Sequence, residues 1–363
     1  MKTEFTSNNK LIIIGNGFDL AHGLKTSYFH FILNYFNKAI EKKKDGNHFH
    51  SFNDELFEIS NLYEADEIKP FQNLASVREW LKINETKVKV KNSFFQKMIN
   101  SERSNWVDIE SLFYEEIKRI YEMVENDGVA YDTHIYTKKD IHQKFVKKLN
   151  HEFEEIKTHL VDYLNTIETG VTSINAIESC LIQIWKAVMN EYNKGLSKPV
   201  HVLNFNYTNT FFNYSHDQEW LDVNHIHGSL KNQNNPLIFG YGDEKDSYFK
   251  KIERLNINAY LNYFKSFGYF RTGNYQKLLN FIEERKFDVL IWGHSCGLSD
   301  SVMLKSIFEN KNCEKIHAFY HKWGNGENEN DFKSKTMDIS RHFDNKELLR
   351  ATLCNFEISD PLN

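Results

Sequence analysis

A short apolar run that ends in a glycine-rich turn constrains the fold of this chain more than any other feature. Residues 11–15 read LIIIG, and a β-branched run of this length is typical of a strand buried on both faces. The run leads directly into Gly15, Asn16 and Gly17, where glycine lets the backbone turn sharply and approach a ligand closely. A helix that begins here would direct free N–H groups and its positive dipole end at an anion. The pattern predicts the strand–turn–helix unit of an α/β nucleotide-binding fold.

The turn matches neither of two common phosphate-binding patterns. The next glycine, Gly23, comes six residues after Gly17, so the spacing is not G-x-G-x-x-G, and the G-K-[ST] of a P-loop is missing. Two interpretations stay open for residues 15–17, a phosphate cradle and a plain strand-to-helix turn. Asp19 also allows two interpretations, because an aspartate here can hold a ribose hydroxyl or cap a helix.

Helical and strand patterns divide the chain into two regions. Apolar residues recur at helical spacing over 29–44, 106–124, 142–167 and 176–192. A loop is expected over 44–54. Strand patterns return, alternating with helical segments, at 199–207, 222–228, 236–242, 288–295, 315–321 and 352–358. Because such alternation indicates a parallel sheet, we predict an α/β protein with a Rossmann-like parallel sheet core over residues 1–30 and 196–363 and a large, mostly helical insertion over 31–195.

Composition and charge exclude several classes of protein. The 363 residues carry a formal net charge of −5, so the chain lacks the basic excess of a dedicated duplex-binding protein. Its four cysteines are far apart and form no C-x-x-C, which argues against a disulfide framework and a cysteine-rich zinc site. The N-terminus is polar, and no apolar stretch approaches the roughly 20 residues that span a bilayer. We expect a cytoplasmic protein with no membrane partner.

Two short motifs follow predicted strands. Asn206 lies in NFNYTNT, and His227 and Gly228 lie in HIHGS. Ligands of a parallel α/β sheet collect at the carboxyl ends of its strands, so both motifs can reach a pocket beside the glycine-rich turn. Asn206 offers a donor and an acceptor, His227 can accept a proton near neutral pH, and Gly228 leaves space beside the imidazole.

Structural roles remain the alternative for both motifs. An asparagine at a strand end often caps a turn, and one histidine among sixteen is more often structural than catalytic. His225 and His227 point to opposite faces of a strand, which makes them poor joint metal ligands.

A third motif, WGHSCGLSD over 292–300, ends another apolar strand pattern. Gly293 and Ser295 suit the close approach of a ribose or a pyrophosphate. Asp300 can contribute to the same nucleotide site, or it can be the N-cap of the helical segment 301–308.

These motifs together resemble the AbiH family of bacterial abortive phage-infection proteins. The resemblance rests on GNGFDLAHGLKTSY, FNYTNTF, HIHGSL, IFGYGDE and IWGHSCGLSD, which cover both ends of the chain, and on WVDIESLF in the helical middle. It implies a role in defence against phage, with a phage-derived trigger or a partner defence protein. We also expect a homo-oligomer.

The order of the motifs is similar, more distantly, to that of sirtuin-like NAD hydrolases from bacterial defence systems. In those proteins an asparagine and a histidine are the catalytic pair, which corresponds to Asn206 and His227 here. The resemblance also implies that Gly15 and Gly17 belong to the nucleotide-binding loop.

In the same comparison, Gly293 and Ser295 correspond to the far ribose site. Two positions depart from the sirtuin-like pattern: Phe205 stands where the sirtuin-like hydrolases have threonine, and Thr208 stands where they have aspartate. The zinc-binding cysteines of true sirtuins are missing, which makes protein deacylation an unexpected activity.

The resulting hypothesis is an abortive-infection effector that binds NAD as its substrate and hydrolyses the nicotinamide–ribose bond. Asn206 would orient the ribose or the attacking water, and His227 would accept a proton. The turn over residues 15–17 would hold the pyrophosphate, and no metal is expected.

Other classes of function stay open. A non-catalytic sensor would bind NAD or a related nucleotide without turnover. A nuclease-like effector would need carboxylates clustered around a metal, whereas the carboxylates of the core motifs are scattered over Asp19, Asp243, Glu244 and Asp300. An NAD-dependent oxidoreductase would need the standard glycine fingerprint and an acidic residue about 20 positions later.

The helical insertion is expected to sense a trigger or to mediate self-association. Its acidic stretch, with Asp108 and Glu110 near Trp106, is typical of a solvated helix face or a cap, although Trp106 and Glu110 could also line a pocket. The aromatic run over 260–275 is expected to pack in a core, with base stacking or an oligomer contact as alternatives.

Overall fold

The computed structural model describes residues 2–41, 49–63, 69–101, 106–126, 128–132, 134–167, 173–193, 195, 198–216, 218–242, 244, 246–324, 326 and 329–362. Contacts between Cα atoms divide the chain into two compact units. The sheet unit comprises Met1–Leu24, Glu168–Lys245 and Phe264–Asn363, and the helical unit comprises Lys25–Ile167 and Asp246–Tyr263. The sequence-based boundaries, at residues 30 and 196, mark where the helical patterns begin and end. The two units are defined by contacts between Cα atoms, so their boundaries differ from these.

The strands are, in chain order, β1 (Asn9–Ile14), β2 (Phe49–Asn53), β3 (Phe57–Tyr63), β4 (Val88–Val90), β5 (Val200–Asn204), β6 (Leu221–His225), β7 (Phe287–Trp292) and β8 (Cys313–Ala318). The α-helices are α1 (Asn16–Ala21), α2 (Tyr28–Glu41), α3 (Leu74–Ile83), α4 (Ser93–Asn100), α5 (Trp106–Glu125), α6 (Lys138–Ile167), α7 (Asn175–Tyr192), α8 (Phe212–Ser215), α9 (Ser247–Arg254), α10 (Lys265–Tyr269), α11 (Asn274–Glu284), α12 (Ser301–Phe308), α13 (Phe332–Ser340) and α14 (Lys346–Thr352).

A five-stranded parallel sheet organises the described part of the sheet unit. Its strand order is β6-β5-β1-β7-β8, so β1 is central. The chain builds β5 and β6 on one side of β1 and then β7 and β8 on the other, so the connections after β1 and β7 leave in opposite directions. In parallel sheets, a crevice forms between two such strands at their carboxyl ends.

The apolar run that opens the chain is buried on both faces of the sheet. Leu11 and Ile13 pack in a cluster with residues of α11 and α12, whereas Ile12 and Ile14 pack with residues of α7. This is the reason for a continuous apolar run instead of an alternating one, since a parallel sheet is covered by helices on both sides.

A buried ion pair lies near the amino ends of the two central strands. Lys10 of β1 is in register with Asp288 of β7, and its Nζ lies 3.0 Å from Asp288 Oδ2, with both side chains completely buried. Burial lowers the pKa of Lys10, while the charge of Asp288 and a hydrogen bond to it act in the opposite direction.

The structure confirms the predicted parallel sheet and corrects two strand predictions. Residues 236–242 form no strand beyond an isolated bridge at Tyr241, and residues 352–358 contain the end of α14, a bridge at Leu353 and a short 3₁₀ helix, Phe356–Ile358. Both segments are apolar and bounded by turn residues, but each makes only a single bridge, at Tyr241 with Phe264 and at Leu353 with Ile316 of β8.

The helical unit contains the four long predicted helices except α7, which belongs to the sheet unit. It also contains an antiparallel sheet in the order β2-β3-β4, which the sequence patterns did not indicate. The loop expected over 44–54 is wrong for residues 49–53, which form β2. Short strands of mixed polarity carry little periodic signal.

The predicted solvated acidic face of α5 is wrong for Glu110, which is buried. The side chains of Trp106 and Asp108 lie outside the described residues, as does Asp243. In the part of the chain that the structure describes, no helix is both long enough and apolar enough to cross a membrane.

Candidate functional site

The sequence motifs begin at one edge of the parallel sheet. Ile14 pairs with Asn204 and Trp292, and Asn204 pairs with His225, so β1, β5, β6 and β7 end level with one another. The glycine-rich turn, the Asn206 motif, the His227 motif and the segment after Trp292 all start here. We call this edge the carboxyl edge.

The glycine-rich turn packs directly on the segment that follows β7. The Gly17 N–H donates to the Gly293 carbonyl at 2.8 Å, and the Gly15 N–H donates to the Trp292 carbonyl at 3.2 Å. Gly293 has a φ of +70°, and a Cβ atom there would lie 2.1 Å from the nitrogen of Phe18. These glycines therefore bring two backbone segments together, and the N–H groups of Gly15 and Gly17 are already engaged.

Asn206 is anchored to the glycine-rich turn. Its Nδ2 donates to the Gly15 carbonyl at 3.0 Å, and its backbone N–H donates to Asn204 Oδ1 at 2.9 Å. Among the described residues, no hydrogen-bond donor reaches Asn206 Oδ1. The side chain is thus held by one end while its oxygen remains available as an acceptor.

Asp19 connects the same turn to the Asn206 motif. It is buried within α1, whose N-cap is Gly15, so Asp19 is not the cap of this helix. Its Oδ2 accepts a hydrogen bond of 2.6 Å from Thr208 Oγ1, and Thr210 Oγ1 donates to Thr208 Oγ1 at 3.2 Å. Thr208 stands where the sirtuin-like pattern has an aspartate. Instead of supplying a carboxylate, it supplies a hydroxyl that donates to the carboxylate of Asp19.

A buried cluster of titratable side chains surrounds Asp300. Its Oδ1 lies 2.8 Å from Lys265 Nζ and 3.3 Å from His227 Nε2, and its Oδ2 lies 3.7 Å from His294 Nε2. The side chains of all four residues are at most 6% exposed. Asp300 occupies the N-cap position of α12, but its side chain makes no capping hydrogen bond. The carboxylate is instead shared between one lysine and two histidines.

The cluster determines which of its members carry charge. Burial raises the pKa of Asp300, but the charge of Lys265 and the neighbouring histidines outweigh burial and hold the pKa well below its usual range. Burial lowers the pKa of His227, as does the charge of Lys265, while Asp300 acts in the opposite direction. Burial also lowers the pKa of His294 to about 3. At neutral pH the carboxylate is therefore ionised and both imidazoles are neutral.

Aromatic side chains enclose His227. The Tyr269 hydroxyl lies 3.1 Å from His227 Nε2, and the two rings are stacked with centroids 6.1 Å apart. Tyr269 in turn stacks on Tyr275 at 5.4 Å. Phe205 packs edge-on against His227 at 4.9 Å and against His294 at 4.3 Å. Phe205, the other departure from the sirtuin-like pattern, thus forms an apolar wall of the cluster.

Two of the predicted site residues have other surroundings. Gly228 has a φ of +88°, and a Cβ atom there would lie 2.4 Å from the Pro236 carbonyl oxygen, so backbone occupies the space that this glycine leaves. Ser295 is exposed, and no described residue hydrogen bonds to its hydroxyl. The two histidines of the HIH motif have different partners: His225 Nδ1 lies 3.3 Å from the Asn206 carbonyl oxygen, whereas His227 Nε2 lies next to Asp300 and Tyr269.

Sequence reasoning missed three members of the cluster, Lys265, Tyr269 and His294. Lys265 and Tyr269 belong to α10, inside the aromatic run that was expected to pack in a core. A single lysine among aromatic residues was the available signal, because a cation in such a context needs a buried carboxylate. His294 lies within the third motif, next to residues that the hypothesis did use.

The fold and the cluster define an α/β protein with a buried, charged site at the carboxyl edge of a parallel sheet. The family model described as bacteriophage abortive infection AbiH matches residues 11–322. The chain therefore belongs to the AbiH family, and membership suggests a role in abortive phage infection. No curated protein and no solved structure matches the chain.

Proposed function

We propose that this protein binds NAD at the carboxyl edge and hydrolyses its nicotinamide–ribose bond during abortive infection. The observation that carries the proposal is the environment of His227. Its Nε2 lies 3.3 Å from a buried carboxylate and 3.1 Å from a tyrosine hydroxyl, and its pKa is lowered by burial. In the neutral imidazole that burial favours, Nε2 carries the lone pair that accepts the proton, and the carboxylate 3.3 Å away then stabilises the imidazolium.

The strand order supports a nucleotide as the ligand. In order of appearance, the parallel strands lie in the sheet as 3-2-1-4-5, which is the order of Rossmann-like dinucleotide-binding folds. In such folds the ligand occupies the crevice where the strand order reverses. Here the strand order reverses between β1 and β7, whose carboxyl ends lie next to Gly15 and Gly293.

The chemistry needs few protein groups. Breaking the nicotinamide–ribose bond develops positive charge at the anomeric carbon, as in glycoside hydrolysis, and nicotinamide leaves as a neutral molecule. Asn206 Oδ1 accepts a hydrogen bond from a ribose hydroxyl or from the attacking water. His227 takes the proton that this water or hydroxyl gives up, which typically accelerates such a reaction about 10²–10⁴-fold. The exposed hydroxyl of Ser295 is a donor for the second ribose.

Asp300 and Lys265 act through His227 in this proposal. Asp300 orients the imidazole and stabilises it once it has taken up a proton. Lys265 keeps Asp300 ionised, because a positive charge at 2.8 Å offsets the burial of the carboxylate. We therefore assign Asp300 as a positioning residue and not as a contact to the nucleotide.

A nucleotide-binding sensor without turnover is the second candidate. One observation favours it: the N–H groups of Gly15 and Gly17, expected to hold a pyrophosphate, donate to the carbonyls of Trp292, the last residue of β7, and Gly293, the residue after it. Binding that opened this contact would change the shape of the turn and could signal to a partner. A metal-dependent nuclease has less support, since none of the described carboxylates at the carboxyl edge belongs to a group of three metal ligands.

The test is release of nicotinamide from NAD by the purified full chain, followed by chromatography. His227→Ala and Asn206→Ala are compared with two matched controls that remove similarly buried side chains elsewhere in the sheet unit. His317→Ala removes a histidine of β8, and Asn224→Ala removes an asparagine of β6.

We expect release by the parent protein and by both controls, and no release by the two site variants. Equal release by His227→Ala and the parent would overturn the role of the histidine. Binding of NAD in calorimetry without any release would favour the sensor. Absence of both binding and release would overturn NAD as the ligand.

A further inference from the structure

A second group of side chains with metal-ligand chemistry lies in the helical unit. Asp54 and Glu55 occupy the turn between β2 and β3, and His159 lies on α6. One ligand atom from each residue lies within 4.8 Å of the other two. These residues belong to none of the motifs of the carboxyl edge, so the group is independent of the proposed NAD chemistry.

The distances within the group fit a cation better than direct hydrogen bonds. His159 Nε2 lies 3.6 Å from Glu55 Oε2 and 3.8 Å from Asp54 Oδ2, which is beyond hydrogen-bonding distance in both cases. No other described residue hydrogen bonds to this imidazole. Ligands about 2.1 Å from a tetrahedral metal are separated by about 3.4 Å. Both distances from His159 Nε2 are close to this separation, and the ligand atoms of Asp54 and Glu55 lie within 4.8 Å of each other.

The Asp54 carboxylate is fixed in position by its surroundings. Its Oδ1 accepts hydrogen bonds from the backbone N–H groups of Leu56 and Phe57, both at 2.9 Å, and from the Tyr35 hydroxyl at 2.7 Å. Hydrogen bonds of this kind orient metal ligands and determine their geometry. Oδ2, the oxygen that faces His159, lies 2.8 Å from the same Tyr35 hydroxyl, and no other donor among the described residues reaches it, so it keeps a lone pair for a cation.

A cavity of about 300 Å³ adjoins the group. Asp54 and His159 both line it, together with the aromatic side chains Phe31, Tyr35, Phe52 and Tyr163. Three protein ligands leave at least one coordination position open, and an open position next to a cavity is typical of a catalytic metal and not of a structural one. A pocket of this size with an apolar lining and a few polar groups suits a small ligand.

We infer that Asp54, Glu55 and His159 bind one divalent first-row transition metal ion, with an open coordination position toward this cavity. One imidazole and two carboxylates favour ions such as Zn²⁺ and Mn²⁺. Sequence analysis expects no metal in this chain. It could not find this group because His159 follows Glu55 by more than 100 residues, without a spacing motif.

The test is metal binding by the full chain after treatment with a chelator and its removal. Mn²⁺ is titrated while the free ion is followed by electron paramagnetic resonance, and Co²⁺ is titrated while its visible absorption is recorded. We expect about one equivalent per chain. We also expect a loss of affinity of at least about 10- to 100-fold in His159→Ala and in Glu55→Gln, since ligand changes exceed the effect of supporting residues.

The matched control is His151→Ala on the same helix, where the exposed His151 has Nε2 3.2 Å from Glu155 Oε1. This variant should bind the metal like the parent. Glu55 is 63% exposed, so Glu55→Gln is compatible with an intact fold, which thermal unfolding of each variant verifies. Binding by the parent weaker than 1 mM, or equal affinity in the parent and His159→Ala, would overturn the site and leave a simple cluster of ion pairs.

Discussion

Asp300 is the residue on which the buried cluster depends, because its carboxylate contacts every other charged or titratable member. Removing Lys265 alone would leave this carboxylate buried beside two neutral imidazoles. The loss of one partner from a buried pair typically costs about 3–5 kcal/mol, since the remaining charge is left without compensation. Replacing both partners avoids that penalty.

The first prediction concerns Lys265→Met. Its free energy of unfolding in urea should be about 3–5 kcal/mol lower than that of the parent, and the double variant Lys265→Met with Asp300→Asn should recover part of the loss. The charge of Lys265 lowers the pKa of His227. Its removal should therefore raise this pKa and shift the acid limb of the NAD cleavage profile to higher pH. The pairing would be contradicted if the double variant lost as much free energy of unfolding as Lys265→Met and Asp300→Asn lose together. This outcome does not depend on the identity of the substrate.

The second prediction concerns the dependence of stability on pH. Burial lowers the pKa of His294 from its ordinary value of 6.5 to about 3. As the pH falls below 6.5, the unfolded chain takes up this proton and the folded chain does not, so stability decreases down to about pH 3. The expected slope from this residue is about 1 kcal/mol per pH unit.

Urea unfolding at pH 4 to 7 measures the slope. Other buried histidines with lowered pKa, such as His342, contribute in the same direction, so the informative quantity is a difference between proteins. His294→Gln should lose stability more gradually with acid than the parent. Parallel profiles for the two proteins would exclude His294 as a source of the acid sensitivity.

At the scale of elements, the contact between the α1 turn and the segment after β7 holds the carboxyl edge together. Gly17 donates to the Gly293 carbonyl, and Asn206 donates to the Gly15 carbonyl. Three strand ends are thereby connected, through backbone groups of the three glycines and the side-chain amide of Asn206. A side chain at Gly293 would separate the segments and disturb Asn206 through Gly15.

The third prediction concerns three glycine-to-alanine variants that separate the effect of backbone strain from the effect of steric overlap. Gly293→Ala combines a φ of +70° with a Cβ atom 2.1 Å from Phe18 nitrogen, so it should lose about 1–3 kcal/mol from strain and a similar amount from overpacking. Gly23→Ala, with a φ of +78° and open space, should lose the strain contribution only. Gly273→Ala has neither feature and should be neutral. Thermal unfolding ranks the three, and a Gly293→Ala protein as stable as Gly23→Ala would argue against close packing.

At the scale of the whole molecule, the sheet unit has a buried ion pair at each edge of its central strands. Lys10 and Asp288 lie at the amino end, and Lys265 and Asp300 lie at the carboxyl edge. The first pair has a structural role, because Lys10 Nζ also donates a hydrogen bond to the Thr6 carbonyl at 3.0 Å and so fixes the chain before β1. Lys265 and Asp300 lie beside His227, the proposed base.

The fourth prediction is that the two ion pairs contribute equally to the stability of the protein, whereas only the pair at the carboxyl edge contributes to its activity. Lys10→Met should lower the free energy of unfolding by about 3–5 kcal/mol, as Lys265→Met does. It should leave the pH profile of nicotinamide release from NAD unchanged at a temperature where both variants are folded, whereas Lys265→Met shifts the acid limb of that profile by raising the pKa of His227. An equal shift of the profile in Lys10→Met would indicate that the effect is general instability.

The sequence by itself determined the elements with strong local patterns. LIIIG predicted β1, helical spacing predicted α2, α5, α6 and α7, and alternating strands and helices predicted a parallel sheet. It also placed the glycine turn and the Asn206 and His227 motifs at strand ends. Each of these inferences depends on residues close together in the chain, where periodicity and turn chemistry act.

Only the tertiary structure decided which side chains meet. Asp300 and Lys265 are 35 residues apart, and His159 and Asp54 are separated by more than 100, so no local pattern could relate them. Gly15 and Gly17 suggested a phosphate site, but in the structure their N–H groups donate to the carbonyls of Trp292, at the end of β7, and Gly293. The physical reason is the same in each case: burial, charge and close packing depend on distances in space, which the fold creates between positions remote in the chain.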